Sequence, residues 1–386
     1  MVFQNSSIKL SRGEFMNIIW VTVRNLNDFC STTTSALSNG LIDAGHELTL
    51  VNGDSAGVHS GQKWTHIGLK QSSYKGMKAT SLASSAAKWF TTNKPSHIDV
   101  VVIDWPLAPR LAPVLNKLGY QIILMDRSPP ADVSLLGRLQ WRVWNSAWKM
   151  VRKGVISQGC VVSEEHLKFV QRRFKIVVDR LHIISAGVDL ELFSPSFNPD
   201  LSEGLRLIYH GQLDKHRGIL SLPMLVQKLI SRGIKAQLTL IGDGNAVPAL
   251  TNIQRHSPWL NLHGRMNQTE ISSILSQQHI GLLPMPETPV WSLASPLKRS
   301  EYLASGLLVL GIEHSGHILE ATKSEWYHLL PQHDFHSLGV DWMVGLTQDI
   351  FDMGSKEARV YATERYSWSH SVEVFVDALQ SCKQDL

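Results

Sequence analysis

Short apolar runs, separated by helix-like stretches, organise the first part of the chain. They predict strands at 17–23, 47–51, 100–103, 121–125 and 154–157. Gly45 ends the helix-like stretch between the first two runs, which indicates a β-α-β unit. Apolar strands that alternate with helices are typical of a parallel sheet covered on both faces. This part of the chain therefore predicts one doubly wound α/β domain.

The alternation resumes after a polar segment at 194–204, which carries two prolines, a glycine and almost no apolar residue. Such a composition is typical of a linker between domains. Beyond it, apolar runs predict strands at 205–210, 237–241, 261–263, 280–283 and 307–310. We therefore predict an α/β protein with two doubly wound, Rossmann-like domains, 16–193 and 205–365, that face each other across a cleft. Parallel sheets of this kind bind ligands at the carboxyl ends of their strands.

Composition and charge exclude several classes of protein. Among 386 residues, 37 Lys and Arg stand against 33 Asp and Glu, and a net charge of +4 is too small to predict a nucleic-acid-binding protein. Cys30, Cys160 and Cys382 lack the spacing of a metal site or a disulfide framework, so we expect a cytoplasmic protein. No apolar run reaches the roughly 18 residues that a membrane span requires. Residues 1–15 lack the apolar core of a secretion signal, and we expect a loose tail.

Glycines follow two predicted strands of the second domain. Gly211 follows the first of these strands, and Gly242 and Gly244 follow the second. Glycine at a strand end lets backbone N–H groups approach a phosphate, and a helix N-terminus beyond it adds the positive end of a dipole. Lys215 and Arg217 lie in the first of these connections, and their charges suit a diphosphate. The sequence therefore predicts a phosphate-binding edge on the second sheet.

A second polar segment, 295–306, leads into the last predicted strand. Glu301 lies in its predicted helix, where a carboxylate suits the two hydroxyls of a ribose. Lys298 lies on the same helix face and is a further candidate for phosphate binding. Ser315 and Gly316 follow the last strand, in a loop that we expect to present backbone amides to the same ligand. With these residues, the ligand predicted for this edge of the sheet is a nucleoside diphosphate.

Several of these segments occur together in one known family. They are 186–189 with 193–195, 210–218, 241–244, 295–306 and 365–368. In this order they resemble the GT-B glycosyltransferases of family 4, and the resemblance implies retaining transfer of a sugar from a nucleotide diphosphate to a hydroxyl. It also implies that a helix at 366–386 completes the first domain. The nucleotide sugar is then expected to bind through Gly211, Gln212, Arg217, Gly242, Gly244, Arg265, Lys298, Glu301, Ser315 and Gly316.

Two positions depart from the family pattern. Gln212 stands where the family has an arginine, so one diphosphate cation is missing, although Arg217 stands where the family has a lysine. Leu293 stands at the first of two family glutamates, which removes a carboxylate near the transferred sugar unless Glu287 takes its place. These departures leave open a non-catalytic relative that binds a membrane or a partner enzyme. A dinucleotide oxidoreductase is the third alternative, but no G-x-G-x-x-G follows the first strand.

Residues that act on the acceptor are expected after strands of the first domain. Asp126 and Arg127 follow the strand predicted at 121–125, about where many relatives place a histidine near the reacting sugar. We predict that Asp126 orients or deprotonates the acceptor hydroxyl and that Arg127 stabilises the leaving diphosphate. Asp104 is the less favoured alternative to Asp126. The acceptor is expected to be a glycan, either lipid-linked or part of the cell envelope.

No metal or cofactor is expected besides the nucleotide sugar. The spacing of His314 with His317, and of His333 with His336, suits metal binding, but neither pair has a recognisable third ligand. No Asp-x-Asp sequence near a strand end indicates a site for a divalent cation. We therefore predict transfer that does not depend on a metal.

One predicted helix, 135–153, combines tryptophans with positive charge. Between Asp132 and Glu164 there is no acidic residue, and the segment carries the cations Arg138, Arg142, Lys149, Arg152 and Lys153. At helical spacing, one face of the segment carries Trp141, Trp144, Trp148 and Val151. A basic amphipathic helix suits the surface of an anionic bilayer, so we expect this helix to bind the inner face of the membrane. In the alternative, the tryptophans pack into the first domain.

Overall fold

The computed structural model of the chain describes residues 14–26, 31–74, 76–130, 135–195, 199–319, 322 and 324–384. The chain divides into two compact units. The first unit extends to Ser185 and also includes the chain from Trp368 onward, whereas the second unit is Ala186–Ser367. Each unit is built on its own parallel sheet.

The sheet of the first unit has seven strands within the described residues. They are β1 (Asn17–Val21), β2 (Glu47–Asn52), β3 (Thr65–Gly68), β4 (Val100–Asp104), β5 (Ile122–Met125), β6 (Gln158–Val161) and β7 (Leu181–Ile183). Their spatial order is β3-β2-β1-β4-β5-β6-β7, so the direction of strand addition reverses between β1 and β4. Ile18 of β1 pairs with Leu48 on one side and with Val100 on the other.

Helices cover both faces of this sheet. They are α1 (Thr32–Asp43), α2 (Lys78–Asn93), α3 (Ala108–Lys117), α4 (Leu135–Arg152), α5 (Glu164–Phe174) and the C-terminal helix Trp368–Gln384. Successive residues of a strand point to opposite faces. Ile19 therefore joins one core with Leu111 of α3, whereas Ile18 joins a second core with Leu37 of α1 and Phe375 of the C-terminal helix.

The sheet of the second unit has six parallel strands within the described residues. They are β8 (Leu205–His210), β9 (Ala236–Ile241), β10 (Leu260–His263), β11 (Ile280–Leu283), β12 (Leu308–Ile312) and β13 (Tyr327–Leu330). Their order is β10-β9-β8-β11-β12-β13, so strand addition reverses between β8 and β11. The surrounding helices are α6 (Leu222–Ser231), α7 (Val247–Gln254), α8 (Gln268–Leu275), α9 (Pro289–Ser292), α10 (Leu297–Ala304), α11 (Ser337–Val344) and α12 (Gln348–Arg365). The predicted class, with two doubly wound α/β domains, is confirmed.

The strand predictions succeed for most of the interior strands and for the edge strand β10, and they miss the interior strand β6 and three edge strands. The runs at 205–210 and 280–283 coincide with β8 and β11. The strand predicted at 154–157 is wrong, because Gly154 takes a left-handed φ of +78° directly after α4 and the pairing strand is β6. The edge strands β3, β7 and β13 were not predicted, because they are short and include polar or half-exposed positions.

The boundary between the units lies earlier than the sequence indicated. Residues 186–193, assigned with the first domain, lie in the second unit. The N–H of Val188 donates to the carbonyl of Tyr366 at 2.7 Å, and Phe193 is buried in the core of the second unit. The segment 194–204, read as the linker, therefore lies within the second unit, and its residues 196–198 are outside the described ones. Tyr366 also lies in the second unit, so the C-terminal part of the first unit begins at Trp368.

Candidate functional site

The loops that follow β8 and β9 are in direct contact. Gly211 has a φ of +118° and Gly242 a φ of +139°, both in a region that favours glycine. A Cβ on Gly242 would lie 1.8 Å from the carbonyl oxygen of Gly211. Any other residue at Gly242 would overlap this backbone, so glycine is what lets the two strand ends approach each other.

The N–H groups of the predicted glycines form hydrogen bonds inside the fold. Gly211 donates to the last carbonyl of β9 at 2.9 Å, and Gly242 donates to the last carbonyl of β10 at 3.1 Å. Gly244 donates to the carboxylate of Asp243 at 2.8 Å. The structure therefore corrects the prediction that these N–H groups approach a phosphate. Their contribution is the close packing of the loops that carry the neighbouring side chains.

Lys298, on α10, lies over the loop at Gly211. Its Cε and Nζ are 3.5 Å and 3.7 Å from the place that a Cβ on Gly211 would occupy. Its Nζ is 5.0 Å from the centre of the Tyr209 ring in β8. An ammonium near an aromatic face is attracted by the ring quadrupole. The predicted Lys298 and Gly211 are thus brought together, and Tyr209 supports the cation.

Glu301, one turn further along α10, faces the end of β8. Its Oε2 lies 3.1 Å from Nε2 of His210, and the side chains of His210 and Glu301 are only 5% and 6% exposed. A buried carboxylate requires such a partner, because desolvation of an unpaired charge is costly. The sequence reasoning did not single out His210, although it directly precedes Gly211.

Arg217 lies beside Trp291 and Gln212. Its guanidinium carbon is 4.5 Å from the centre of the Trp291 ring, and its Nη2 donates to Oε1 of Gln212 at 3.3 Å. The hydroxyl of Tyr209 donates to the backbone carbonyl of Gln212 at 3.2 Å. Burial raises the pKa of Tyr209 to about 12, although the nearby charge of Arg217 opposes this shift. Both cations are therefore linked to Tyr209, Lys298 through the ring face and Arg217 through Gln212.

The loop after β12 is tied to the helices that carry these residues. The hydroxyl of Ser315 donates to the carbonyl of Ser292 at 2.8 Å, and a Cβ on Gly316 would lie 2.0 Å from the carbonyl oxygen of Trp291. The buried Arg299 of α10 donates to the carbonyl of Gly316 at 2.9 Å. Sequence reasoning missed Arg299, because nothing in a polar segment marks which cation becomes buried. The loop of Ser315 and Gly316 is therefore fixed against α9 and α10.

Two histidines of the same loop are held neutral. The rings of His314 and His317 lie 3.8 Å apart. His314 donates from Nε2 to the carbonyl of Met285 at 3.2 Å, and His317 donates from Nδ1 to that of Ile312 at 2.7 Å. A carbonyl partner requires an N–H, which defines each tautomer. Burial lowers the pKa of His314 to about 4 and holds that of His317 well below its ordinary value.

The second histidine pair makes local contacts. His336 donates from Nε2 to the carbonyl of Ser221 at 2.9 Å, and His333 lies 3.2 Å from the carboxylate of Asp334. Within the described residues, no group of three or more His, Cys, Asp or Glu side chains is arranged to hold a metal ion. The structure therefore assigns both histidines to contacts with neighbouring segments.

The remaining candidates of the second unit lie around this edge. Arg265 forms an exposed ion pair with Asp243, in the loop after β9, at 3.4 Å. Leu293 is buried at the end of α9, and Glu287 is exposed in the loop before that helix. Leu293 therefore supplies apolar packing at the position where the family pattern has a carboxylate.

Asp126, after β5 of the first unit, is fully buried. Its carboxylate accepts hydrogen bonds from the indole N–H groups of Trp144 at 2.5 Å and Trp148 at 2.8 Å, and it lies 3.3 Å from Nε2 of His166 on α5. A general base must reach the proton that it removes. The structure therefore gives Asp126 a role in joining β5 to α4 and α5, in place of the predicted contact with the acceptor.

Arg127 and Asp104 lie at other points of the same sheet edge. Nη2 of Arg127 donates to the hydroxyl of Thr33 at the start of α1. Asp104 ends β4, beside the point where strand addition reverses, and accepts hydrogen bonds from the Thr22 hydroxyl at 2.7 Å and the Val23 N–H at 3.1 Å. Burial raises the pKa of the Asp104 carboxyl. Ligands of doubly wound sheets bind at this reversal point, so Asp104 is better placed than Asp126.

The helix predicted at 135–153 is confirmed as α4, but most of its apolar face is buried, and only Trp141 of the four predicted residues is partly exposed. Trp144, Trp148 and Val151 are fully buried in the first core, where both indoles pack against Phe174 of α5. The prediction that these tryptophans enter a membrane is therefore corrected, because the same apolar face covers the sheet.

The cations of this helix lie on the opposite face. Arg138, Arg142, Lys149 and Arg152 are exposed on α4, and Lys153 is exposed just beyond it. No helix within the described residues has the length and apolar content needed to cross a bilayer. Contact of this basic face with a membrane surface stays a prediction.

Comparison with solved structures finds proteins of the same architecture. A glycosyltransferase from Rickettsia africae matches with a TM-score of 0.74 at 13% identity, over 97% of this chain and 100% of that chain. Sucrose-phosphate synthase from Thermosynechococcus elongatus matches with a TM-score of 0.72 at 15% identity, over 95% and 98%. HepE from Anabaena, solved in complex with UDP, matches with a TM-score of 0.72 at 10% identity, over 95% and 100%.

These likenesses extend over both units. The sequence matches no protein-family model, and it matches no curated protein at significant similarity. Identities of 15% or less establish a shared fold. The order of strands in both sheets agrees with that conclusion. The chain therefore has the GT-B fold of the glycosyltransferases that it resembles.

Proposed function

We propose that the protein transfers a sugar from a nucleotide diphosphate to an acceptor hydroxyl. One observation carries this proposal: Lys298 lies over the Tyr209 ring, Arg217 donates to Gln212, whose carbonyl accepts the Tyr209 hydroxyl, and Glu301 faces the last residue of the same strand. The fold supports it, as do the structures of Anabaena HepE with UDP and with UDP-glucose. UDP is therefore the first nucleotide to test.

In this proposal, Arg217 and Lys298 bind the diphosphate. A charge-assisted hydrogen bond contributes about 1.5 to 3 kcal/mol. Both cations contact aromatic rings, which attract a cation without placing a negative charge beside it. When the bond between sugar and phosphate breaks, negative charge grows on the diphosphate, and the same two cations stabilise it. Two fixed cations can do this without a metal ion, and we propose transfer that does not depend on one.

Glu301 is proposed to bind the ribose. Its two carboxylate oxygens can accept hydrogen bonds from neighbouring hydroxyls, and the imidazole of His210 lies 3.1 Å from one of them. Arg265, Ser315 and Gly316 complete the proposed donor site around the loops of the same sheet edge.

We further propose that the first unit binds the acceptor, a glycan that is lipid-linked or part of the cell envelope, and that transfer is retaining. Asp104 is the favoured residue for contact with the acceptor hydroxyl, because it lies at the reversal point and burial raises the pKa of its carboxyl. Arg127 remains our candidate for stabilising the negative charge of the leaving diphosphate. The exposed cations of α4 are proposed to bring a cytoplasmic protein to an anionic membrane surface.

A thermal shift experiment with UDP, GDP, ADP and NAD tests the proposed donor. A ligand at about a hundred times its Kd adds roughly 2.7 kcal/mol to the free energy of unfolding, which is readily measured. We expect one nucleoside diphosphate to stabilise the wild type and to have little effect on Glu301→Ala. Glu364→Ala, an exposed carboxylate on α12, is the matched control and should respond like the wild type. Stabilisation by NAD alone would contradict the proposal.

A non-catalytic relative of the same fold is the second candidate, and the buried Leu293 favours it. Such a protein would bind the nucleotide without turnover. Incubation with a panel of nucleotide sugars and lipid extracts, followed by mass spectrometry, separates the two. Product formation that disappears in Glu301→Ala indicates transfer, whereas nucleotide binding with no product and no donor hydrolysis indicates a binding protein.

A further inference from the structure

Trp291 provides the surface on which Arg217 lies. The guanidinium carbon of Arg217 is 4.5 Å from the centre of the indole. The preceding His216 lies almost parallel to the same indole, with 6.1 Å between the ring centres and 11° between the planes. Two consecutive residues of the connection between β8 and α6 therefore contact one ring.

The backbone that carries Trp291 is itself constrained. A Cβ on Gly316 would lie 2.0 Å from the carbonyl oxygen of Trp291, so the loop after β12 contacts α9 backbone to backbone. The hydroxyl of Ser315 holds the next carbonyl, that of Ser292, at 2.8 Å. The indole is thus attached to a supported segment, which is the arrangement that keeps a neighbouring side chain in one geometry.

Gln212 supplies the polar contact to Arg217. Its Oε1 accepts a hydrogen bond from Nη2 at 3.3 Å, and its backbone carbonyl accepts one from the Tyr209 hydroxyl at 3.2 Å. Neither Gln212 nor Trp291 carries a negative charge. The two contacts therefore orient the guanidinium and leave its charge un-neutralised, whereas a carboxylate in the same place would compete with an anionic ligand.

We propose that Trp291 and Gln212 are positioning residues that hold the charged side chain of Arg217 ready for the diphosphate. This inference rests on the proposed function and deepens it. A long side chain that is already ordered loses less conformational freedom when it binds an anion, and this preorganisation increases affinity. The effect acts on the phosphates alone, so it distinguishes UDP from uridine.

Titration calorimetry on the full chain, with UDP and uridine as ligands, tests the role of Trp291. We expect Trp291→Leu to weaken UDP binding by about three- to tenfold, because the cation–π contact is lost. Trp291→Phe keeps an aromatic face and should recover most of this loss. Trp342→Leu removes a half-buried indole that stacks on His328 in the same unit, and it should bind UDP like the wild type. Uridine affinity should be equal in all four proteins.

Gln212→Glu tests the requirement for an uncharged acceptor. The new carboxylate should pair with Arg217 and weaken UDP binding by about tenfold or more, again with no change for uridine. Melting temperatures of all variants check that the fold is retained.

The outcomes separate this inference from the function on which it rests. If Trp291→Leu binds UDP like the wild type while Arg217→Ala weakens it, the positioning role is overturned and the proposed function survives. If Trp291→Leu loses UDP and uridine binding equally, the indole has a structural role, which also overturns the inference. If Arg217→Ala has no effect on UDP binding, both proposals fail.

Discussion

The carboxyl edges of the two sheets differ in the contacts that their aspartates and their cations make. In the first unit, the acidic groups that follow the strands are enclosed: Asp126 is covered by two indole N–H groups, and Asp104 by a hydroxyl and a backbone N–H. In the second unit, Arg217 and Lys298 lie on aromatic faces. Several hydrogen-bond donors stabilise a buried carboxylate within the fold, whereas an aromatic ring attracts a cation without placing a negative charge beside it. The role of a charged residue is therefore inferred from its contacts together with its place after a strand.

We expect the largest loss of stability when the fully buried carboxylate of Asp126 is removed. Asp126→Ala should lower the free energy of unfolding by about 3 to 5 kcal/mol, because it removes the acceptor of two buried indoles and the partner of His166. Urea unfolding measures this loss. Asp341→Ala, which removes one partner of an exposed ion pair with Arg232, is the control and should change stability by less than about 1 kcal/mol. A small effect of Asp126→Ala would mean that the carboxylate is not structural.

At the edge of the second sheet, loss of a cation should weaken ligand binding and leave the fold intact. Lys298→Ala is expected to weaken UDP binding by about 10- to 150-fold, the equivalent of one charge-assisted hydrogen bond. The melting temperature without ligand should hardly change. Lys228→Ala, on the exposed side of α6, controls for loss of charge alone. Equal UDP affinity in both variants would remove Lys298 from the site.

Acid should destabilise the second unit through its buried imidazoles. The pKa of His314 falls from 6.5 to about 4 on folding, so the unfolded chain binds more protons between these values. Stability is therefore lost as the pH falls through this window. His314→Gln cannot titrate and should lose less stability than the wild type between pH 7 and 4. Urea unfolding across this range measures the difference, and His333→Gln, at an exposed position, should follow the wild type.

The smallest effect is expected on the basic face of α4. Each Lys or Arg near an anionic bilayer contributes about 1 kcal/mol, so Arg142→Ala should reduce recovery with anionic vesicles by about fivefold. Flotation with vesicles of anionic and of neutral lipid measures it, and only the former should respond. If the variant is recovered with anionic vesicles like the wild type, the basic face of α4 does not bind the membrane and is a solvated face of a structural helix.

Sequence reasoning succeeded where a single segment holds the information. The buried strands β8 and β11 and the helical period of α4 follow from local patterns. Local patterns do not show what the α4 tryptophans pack against, because the sequence of an apolar helix face is the same whether the face packs against a sheet or a bilayer. Lys298 and Gly211 were assigned to the same binding edge from the sequence, and they lie together in the structure. The contact of Arg217 with Trp291 joins two distant segments through a ring face, and no sequence pattern predicts such a contact.

The C-terminal helix Trp368–Gln384 has a consequence for biosynthesis. Phe375 and Leu379 complete the core that Ile18 and Leu37 begin, so the first unit is assembled from both ends of the chain. A ribosome must finish the whole second unit before these residues emerge. One apolar face of the amino-terminal sheet, which α1 covers in part, therefore stays incompletely buried until translation ends.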